Sequence, residues 1–444
     1  INKNKTINIL FFNETKIHLP EETKINVELY KFLNSFLING SSDNIIVRSE
    51  KGNFLLVKRK SDNRKLKDDY LEKLGGTIYN EVKLTAFTEA VIYENDIKIN
   101  QRIALGILLS SYKFMNYKKI NLYLGWLLFL IATTVFFITI EDTVSLWDCG
   151  EYITAAYKLE VGHPPGAPLF MVIGRLFSFF ADPENVAVWI NRLSAISSSG
   201  TILFMFWSIT MLVKKMVLKD KKELSNGDKI AIFASGFIGG LAYTFSESFW
   251  FSAVEGEVYA MSSLFTAIIF WAILKWDEEM AEIGNGLIPQ GYSPDRWLLF
   301  IMFMLGLAIG VHLLGILIVP AIAYIIYFRF KDKITVKGFF LVGILAIAVL
   351  GFIQVGVIQG SIAIASKFEV AFVNSFGLPF FSGTIFFFVA LVAICIILIR
   401  YARKKSKRIL YSSVMGLMLL LIGYGSFAVI VIRSNANTPL DEND

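Results

Sequence analysis

The chain is poor in the residues that build disulfide frameworks, metal clusters and charged soluble surfaces. Its 444 residues include two cysteines, three histidines and ten prolines. Cys395 falls inside an apolar run, which argues against a disulfide framework. Charged residues make up 18% of the chain against 55% hydrophobic residues, and the mean hydropathy is +0.56. These values exclude an ordinary soluble globular protein over the whole length.

The apolar residues are unevenly distributed and divide the chain into three parts. Residues 1–118 are mixed and charged, residues 119–433 hold long apolar runs, and residues 434–444 are polar. We therefore predict a soluble domain, a polytopic membrane domain and the start of a truncated extracytoplasmic region. The chain begins without methionine and without a signal peptide, so we expect a fragment at both ends.

The first 118 residues predict a small α/β domain. Short β-type runs occur at Thr6–Phe12, Asn44–Val47, Phe54–Val57, Thr77–Tyr79 and Glu89–Tyr93. Helical patterns occur at Val27–Leu37, Lys65–Leu74 and Asn100–Phe114. No metal-ligand spacing, phosphate-binding glycine loop or nucleophile motif is found here, so the domain is predicted to be non-catalytic.

The end of this domain carries a first resemblance. Ile99–Lys119 reads INQRIALGILLSSYKFMNYKK and is similar to the end of the N-terminal domain of leucyl aminopeptidases, which has an LLxSYxFxxYK pattern. The two-metal catalytic half of that family is absent, because an apolar run begins where it would start. The resemblance therefore implies a non-catalytic domain joined to a different partner, without peptidase activity.

The second part predicts an all-α membrane domain of about nine transmembrane helices. The candidate spans are Ile120–Ile140, Trp189–Val213, Ile230–Phe245, Val258–Leu274, Trp297–Gly310, Leu313–Phe328, Gly338–Gln359, Thr384–Ile399 and Ile409–Ile432. Trp297–Phe328 is divided at Gly310–Gly315, because one long helix would put the following basic loop on the wrong side.

Basic loops predict the orientation of the spans. Four connections are strongly cationic and are expected in the cytoplasm: Lys113–Lys119, Lys214–Lys229, Arg329–Lys337 and Arg400–Arg408. Residues 1–118 are then cytoplasmic and the loop Glu141–Val188 is extracytoplasmic, in a multi-pass protein of the cell inner membrane. The net charge of +6 reflects this orientation and predicts contact with a lipid bilayer rather than with nucleic acid.

Glu141–Pro168 concentrates polar chemistry directly after the first apolar run. Asp148 and Glu151 are three residues apart, so both carboxylates would lie on one side of a helical turn. Trp147 and Tyr152 give them a half-apolar setting, which can raise a carboxyl pKa toward the range of a general base. The alternative is that these acids only solvate a loop.

A proline-rich turn follows these acids. His163, Pro164, Pro165 and Gly166 cannot continue a helix, and they predict a rigid turn that presents the imidazole. The short apolar helix Pro168–Phe180 is suited to the membrane interface. Its Arg175 would either meet a phosphate or only extend toward water.

Two further groups are predicted on the same face. Glu257 and Tyr259 would line the cavity of Asp148, although an acid at this place also suits the positive end of the following helix. His312 lies at the turn between two spans. The alternative for His312 is a buried histidine with a structural role.

A second resemblance rests on these motifs. Thr143–Ser178 reads TVSLWDCGEYITAAYKLEVGHPPGAPLFMVIGRLFS, and NRLSA, FWFSAVEGEVYA and GLAIGVHLLGILIVP follow later. Residues 117–444 resemble the bacterial GT-C membrane glycosyltransferase family 117, which is related to protein O-mannosyltransferases. The resemblance implies a polyprenyl-phosphate sugar donor, mannose-like, and a Ser/Thr hydroxyl acceptor on an exported protein.

The same resemblance implies roles for individual residues. Asp148 is expected to be the catalytic base or a metal ligand, with Glu151 in support. His163, Arg175 or His312 would stabilise the leaving phosphate. A divalent metal is a possible cofactor, and the residues do not identify a metal site.

A transporter or flippase of a lipid-linked or small polar substrate is the rival interpretation. It requires polar or broken helices near the bilayer midplane. Gly351, Gln354, Gly356 and Gln359 offer such a segment, although glycines also serve close helix packing.

Overall fold

The structure is a computed structural model, in which part of the N-terminal region is described only as backbone. It gives the backbone of residues 6–13, 16–18, 44–49, 52–58, 89–92 and 97–116. It gives both backbone and side chains of residues 117–219, 224–284, 294–331, 333–436 and 438–442. The chain forms two compact units, Ile1–Ile120 with Glu282–Tyr292 and Asn121–Ala281 with Ser293–Asp444.

The first unit contains a five-stranded sheet. The strands are β1 (Thr6–Asn13), β2 (Lys16–His18), β3 (Asn44–Ser49), β4 (Gly52–Lys58) and β5 (Glu89–Ile92). β1 is central, because it pairs antiparallel with β2 and parallel with both β4 and β5. β3 pairs antiparallel with β4. In this register Ile9 lies opposite Leu55 of β4 and Ile92 of β5.

Four of these strands coincide with predicted β-type runs to within two residues at each end, and β2 was missed because it has only three residues. The predicted helices Val27–Leu37 and Lys65–Leu74 and the strand Thr77–Tyr79 lie outside the described residues. The sheet is therefore observed, while the α/β class of the whole domain and its resemblance to aminopeptidases stay predictions.

From residue 97 onward the described chain is helical. The helices are α1 (Ile97–Ile138), α2 (Cys149–Lys158), α3 (Pro168–Ser178), α4 (Val186–Val217), α5 (Asn226–Thr244), α6 (Glu247–Val254), α7 (Val258–Gly284), α8 (Asp295–Ile309), α9 (Val319–Phe330), α10 (Val336–Gly351), α11 (Gly360–Val370), α12 (Ser382–Lys404), α13 (Arg408–Tyr424) and α14 (Ala428–Ser434). Short 3₁₀ segments occur at Pro183–Asn185, Leu313–Ile318 and Gly425–Phe427, and π-helical segments at Phe352–Gln359 and Ala371–Ser375.

Local sequence signals explain several helix boundaries. Ser225 and Asp228 form a reciprocal capping box at the start of α5. The hydroxyl of Thr335 accepts a hydrogen bond at the start of α10. Pro168 occupies the first turn of α3, where its missing N–H has no helical partner to lose. Each of these three signals is local in the sequence.

All nine predicted apolar runs are helical, but fewer are long enough to span a bilayer. Seven helical stretches of the described chain meet that requirement, and an eighth does if α5 and α6, bent by 67° at their junction, form one span. The prediction of about nine spans is corrected on this point. The division at Gly310–Gly315 is confirmed, and it leaves α8 with 15 residues. That is about 22 Å of helix, short of the roughly 30 Å hydrocarbon core.

Helices α8 and α13 approach each other through glycines. A Cβ on Gly423 would lie 2.6 Å from the carbonyl oxygen of Phe303. A Cβ on Gly306 would meet the carbonyl oxygen of Leu420 at a distance that no side chain permits. Small residues allow such close helix contacts in membranes, where dispersion contacts replace the hydrophobic effect. The α8–α13 contact is therefore specified by the two glycines.

The short helices α2 and α3 dock on the main core of the bundle. Phe170 of α3 is fully buried, and Ala155 and Ala156 of α2 pack into the same cluster as residues of α4, α7 and α8. The opposite side of α3 exposes Leu176. Its amphipathic packing agrees with the predicted interfacial helix, and the rigid docking of α2 fixes the acids at its start.

An ion-pair cluster ties the helices together at the other end of the bundle. The buried carboxylate of Asp277 on α7 accepts from Lys215 Nζ of α4 at 2.6 Å and from Arg329 Nε, at the end of α9, also at 2.6 Å. Arg296 at the start of α8 pairs with Glu279 at 2.6 Å. Charges that enter the membrane region are satisfied by partners, as burial requires. The helix ends beside two of the predicted cationic connections, Lys214–Lys229 and Arg329–Lys337, thus lie together.

Candidate active site

The loop after α1 is anchored by backbone and side-chain bonds. Asn191 of α4 donates through Nδ2 to the carbonyls of Glu141 (2.7 Å) and Thr143 (3.1 Å). Ser145 donates to a carboxylate oxygen of Glu255 at 2.7 Å. These bonds connect the loop to α4 and to the connection that precedes α7. The loop is therefore a fixed wall of the site.

Asp148 and Glu151 stand at the start of α2. Asp148 occupies the N-cap position without capping through its side chain, and Glu151 lies in the first turn. The neighbouring Trp147 is 94% exposed and has φ +68°, a left-handed conformation that a bulky residue rarely adopts. The Asp148 carboxylate is therefore exposed and makes no capping hydrogen bond to α2, which leaves it accessible to a substrate.

His163 is bound to Glu151 by three contacts. The backbone N–H of His163 donates to Glu151 Oε1 at 2.6 Å, and its Nδ1 lies 3.0 Å from each carboxylate oxygen. This hydrogen bond raises the pKa of the imidazole, against the opposing effect of burial. A Cβ at position 162 would meet Glu151 Oε1, so a larger residue there would displace the carboxylate from His163. The acid–imidazole pair is therefore built into the loop.

The predicted rigid turn after His163 is present. The Pro164–Pro165 peptide bond is cis, and Gly166 has φ +84°. The N–H of Gly166 donates to the carbonyl of His163 at 2.8 Å and closes the turn. Glycine suits a positive φ, which explains its place here. The turn directs the chain into α3.

Three side chains offer ligand atoms close enough to share one ion. One atom each from Asp148, Glu151 and His163 lies within 4.8 Å of the others. Two carboxylates and an imidazole are a donor set that divalent cations accept. The sequence had named these residues without assigning a metal site, and the structure brings them together.

Glu257 forms a second, buried carboxyl beside this cluster. It is 5% exposed, and its Oε1 accepts from the thiol of Cys149 at 3.4 Å. Burial raises the pKa of Glu257 to about 7, and the charges of Asp148 and Glu255 add to the effect. Burial also raises the pKa of the Cys149 thiol to about 12. Asp148 and Glu257 are thus two carboxyls in contrasting environments.

His312 and Tyr259 form the far side of the cluster. Their ring centroids are 5.2 Å apart, and Nδ1 of His312 accepts from the N–H of Leu314 at 3.1 Å. Burial lowers the pKa of His312, and the charge of His163 lowers it further. A neutral imidazole whose Nδ1 accepts must carry its proton on Nε2. His312 therefore presents an N–H donor.

Arg175 is placed differently from the other candidates. Its guanidinium donates to the carbonyl of Tyr157 at the end of α2 and to Ser178 Oγ at 3.4 Å. It also stacks on the rings of Tyr157 and Phe179, at 5.3 and 4.8 Å from their centroids. Arg175 thus joins α2 to α3, a position that sequence reasoning did not anticipate.

Sequence reasoning also missed a group of residues from the end of the chain. Arg433 donates through Nε to the carbonyl of Leu159 at 2.5 Å. Val161 exchanges backbone hydrogen bonds with Leu440 and Glu442, each 3.1 Å long. The charge of Glu442 contributes to the raised pKa of His163. No pattern in the sequence links these positions, because they are more than 270 residues from the loop.

The fold and the site define a multi-pass membrane protein with a carboxylate–imidazole cluster at one end of its helix bundle. Residues 148–335 match the family model of the protein O-mannosyl-transferase TMEM260 N-terminal domain. The chain is 24% identical to protein O-mannosyl-transferase tmem260 of Dictyostelium discoideum over 213 residues, 47% of this chain and 24% of that protein. It is 26% identical to protein O-mannosyl-transferase TMEM260 of Mus musculus over 153 residues, 34% of this chain and 19% of that protein.

These matches support an O-mannosyltransferase-like family. The matching region covers about a quarter of the Dictyostelium relative and about a fifth of the mouse relative. No solved structure matches the chain. The match begins at Asp148 and includes the whole cluster described above.

Proposed function

We propose that the chain forms the membrane part of a GT-C-type glycosyltransferase. It moves a sugar, mannose by analogy with the names of its relatives, from a polyprenyl-phosphate donor to Ser/Thr hydroxyls of exported proteins. The observation that carries this proposal is the cluster of Asp148, Glu151 and His163 at one end of a helix bundle. A lipid-linked donor brings its anomeric carbon to the membrane surface, where such a cluster can act on it.

Asp148 is the proposed general base. Its carboxylate takes the proton of the acceptor hydroxyl while the hydroxyl oxygen bonds to the anomeric carbon of the sugar. In the same displacement the bond from that carbon to the phosphate oxygen breaks, and polyprenyl phosphate leaves with the electron pair. The exposed, uncapped position of Asp148 supports this role. Buried Glu257, with its pKa raised to about 7, is the less suitable base at lower pH.

Two imidazoles are proposed to stabilise the leaving phosphate. Glu151 raises the pKa of His163, which favours an imidazolium that attracts the phosphate charge. His312 donates from Nε2 as a neutral ring, because its Nδ1 is occupied by Leu314 N–H. Fixed donors of this kind stabilise charge without reorganisation. Glu151 is then a supporting residue that orients His163.

The remaining candidates are proposed to shape the donor site. Tyr259 stacks against His312 and is partly exposed, so its ring can line the sugar pocket. Glu257, Pro164 and Pro165 form the wall around the acids. Arg175 retains guanidinium N–H groups beyond the one bound to Tyr157, and these can meet a phosphate at the membrane surface.

A divalent cation fits the cluster, because two carboxylates and an imidazole converge within 4.8 Å. Asp148, Glu151 and His163 would hold it, and it would supply positive charge to the leaving phosphate. With a cation bound, His163 would be a neutral ligand in place of the imidazolium, and ligation would replace the present contact between His163 Nδ1 and Glu151. Loss of transfer on chelation, restored by added Mg²⁺ or Mn²⁺, would support this cofactor.

The proposed location is the cell inner membrane, with residues 1–118 in the cytoplasm and the site outside. D142C tests this orientation, because Asp142 is an exposed residue of the first loop. Both native cysteines are buried, at 1% and 3% exposure, so they give a low labelling background. A membrane-impermeant maleimide added to intact cells should label D142C. Labelling only after membrane disruption would reverse the orientation.

The test of the function uses membranes that contain the protein, labelled polyprenyl-phosphate mannose and a Ser/Thr-rich acceptor peptide. D148N should lower the transfer rate by about 10²- to 10⁴-fold, the usual contribution of a general base. D142N makes the same chemical change in the same loop and should transfer at nearly the wild-type rate. Retained transfer in D148N would remove Asp148 from its role.

The transporter interpretation makes a different prediction. The π-helical segment Phe352–Gln359 contains two glutamines within a span, and polar groups there suit a substrate path. A transporter moves the labelled lipid without consuming it, whereas a transferase releases polyprenyl phosphate and labels the acceptor. Recovery of intact donor in the opposite leaflet, without labelled acceptor, would favour the transporter.

A further inference from the structure

The segment that follows the last long helix returns to the acid–imidazole cluster. α14 ends at Ser434, and residues 438–442 then run beside the loop between α2 and α3. The side chain of Leu440 packs against the main core. Thr438 Oγ1 donates to the carbonyl of Leu440 at 3.0 Å, which stiffens this segment. We call residues 438–442 the strap.

Arg433 binds the end of α2 just before the strap begins. Its Nε donates to the carbonyl of Leu159 at 2.5 Å, and its Nη2 donates to the carbonyl of Lys158 at 3.5 Å. Carbonyls in the last turn of a helix have no partner within the helix. A cation there also complements the helix dipole. Arg433 therefore satisfies a helix end that α2 cannot satisfy alone.

Leu159 shows why this helix end needs support. It has φ +51° and ψ +50°, a left-handed conformation that residues other than glycine rarely adopt. That conformation turns the chain out of α2 and toward His163. The hydrogen bond from Arg433 to the carbonyl of Leu159 holds Leu159 in this left-handed conformation.

The strap holds the next residues by a short parallel bridge. Val161 N–H donates to the carbonyl of Leu440, and Glu442 N–H donates to the carbonyl of Val161, each over 3.1 Å. Val161 is 2% exposed as a result. Two residues further, His163 meets Glu151. The loop is therefore fixed from one side by Glu151 and from the other by the strap.

We propose that Arg433 and the strap are positioning elements, which clamp the α2–α3 loop so that His163, oriented by Glu151, faces the leaving phosphate. The proposal rests on the proposed transferase function for its kinetic part, and its structural part stands independently. Both hydrogen bonds of Arg433 go to backbone carbonyls at the end of α2, so the proposed role of Arg433 is indirect. Groups that orient catalytic residues commonly contribute about 10- to 100-fold to activity.

The kinetic test compares R433M, R433K and R403M. R433M removes both hydrogen bonds and should lower kcat by about 10- to 100-fold, with little change in the KM for the lipid donor. R433K can reach one carbonyl and should recover part of the loss. Arg403 stacks on Tyr411 at the other end of the bundle, so R403M is the matched control and should leave kcat unchanged. A higher KM at unchanged kcat, or an equal kcat loss in R403M, would overturn the proposal.

The structural test needs no substrate. Hydrogen–deuterium exchange of the peptide that contains Val161 should be faster in R433M than in wild type, because the hydrogen bond from the Val161 N–H to the carbonyl of Leu440 weakens. The pair V161C/D441C should form a disulfide on mild oxidation, since bridge partners lie at a distance that disulfides span. V161C alone should not. Unchanged exchange, or no crosslink, would refute the clamp even if D148N abolishes transfer.

The two tests also separate failure of the clamp from failure of the proposed function. If the wild-type protein transfers no sugar while the crosslink forms and exchange increases in R433M, the transferase proposal fails and the clamp stands. If transfer depends on Asp148 while R433M keeps the wild-type kcat, the clamp has no role in positioning.

Discussion

Replacement of Glu257 by glutamine should change the pH dependence of stability in a defined direction. The pKa of Glu257 is about 7 in the folded protein against an ordinary value of 4.5. A raised pKa means that the folded state binds the proton more tightly than the unfolded state between these two pH values. Stability then falls as the pH rises from 4.5 to 7, and the full cost is present above pH 7.

The size of the effect follows from the shift. One pKa unit corresponds to 1.36 kcal/mol, so the charged form of Glu257 costs the fold about 3 kcal/mol above pH 7. This is an upper value, because a carboxyl that is 5% exposed keeps some contact with water. E257Q removes the charge at every pH and keeps a polar group of the same shape. Its stability relative to wild type should therefore increase between pH 4.5 and pH 8.

Thermal unfolding in detergent, followed by the fluorescence of the eight tryptophans, measures this difference. The Tm of E257Q should exceed that of wild type by several degrees more at pH 8 than at pH 4.5. The lost contact with Cys149 adds a constant that cancels in the comparison between pH values. Glu247 is exposed, so E247Q should show no such trend. A Tm difference for E257Q that stays flat with pH would refute the buried, neutral state of Glu257.

Three other substitutions test the packing. G306A should lower the free energy of unfolding by about 1–3 kcal/mol, because its Cβ would meet backbone atoms that cannot move aside. G351A places its Cβ in open space and should leave stability unchanged, so equal Tm values for the two variants would contradict the prediction. D277N should lower the free energy of unfolding by about 3 kcal/mol through loss of a buried ion pair, while the transfer rate per folded molecule stays constant. An unchanged Tm, or slower transfer by the folded fraction, would count against this prediction. In G256A the new Cβ would lie 3.0 Å from Oδ1 of Asn191, the residue that holds the first loop. Displacement of that loop should slow transfer about tenfold, and a wild-type rate in the same assay would show that the loop tolerates the methyl group.

The helices of the bundle could largely be predicted from the sequence, because apolar length is a local property. The division between α8 and α9 also followed from local composition together with the basic loop after Phe328. The predicted span Trp297–Gly310 was already short, and α8 (Asp295–Ile309) agrees with it to within two residues at each end. What the sequence did not provide was which of the nine predicted runs form helices long enough to cross a bilayer. Side-chain hydrophobicity identifies a span, and its ends depend on how the neighbouring turn packs.

The site was only partly predictable for a similar reason. Asp148 and Glu151 are related by helical spacing, which the sequence shows directly. His163 comes within 3.0 Å of Glu151 through a turn at Leu159 whose left-handed conformation no local signal announces. Arg175 was a candidate phosphate ligand by its charge, and its contact with the Tyr157 carbonyl depends on the angle between α2 and α3. Long-range partners such as Arg433 have no sequence signal at all.

The bond between Arg433 and Leu159 also sets an order of events during biosynthesis. Its two residues are 274 positions apart, so at 5–20 residues per second the ribosome needs roughly 15 to 55 s to add the second after the first. The acids of the first loop leave the translocon early in that interval, before their clamp has been translated. Under the proposed clamp, a chain whose helix α13 has not yet entered the membrane should transfer sugar about 10- to 100-fold more slowly than one that has formed the Arg433 contact. Full activity of the proposed transferase would then depend on the insertion of α13 and α14.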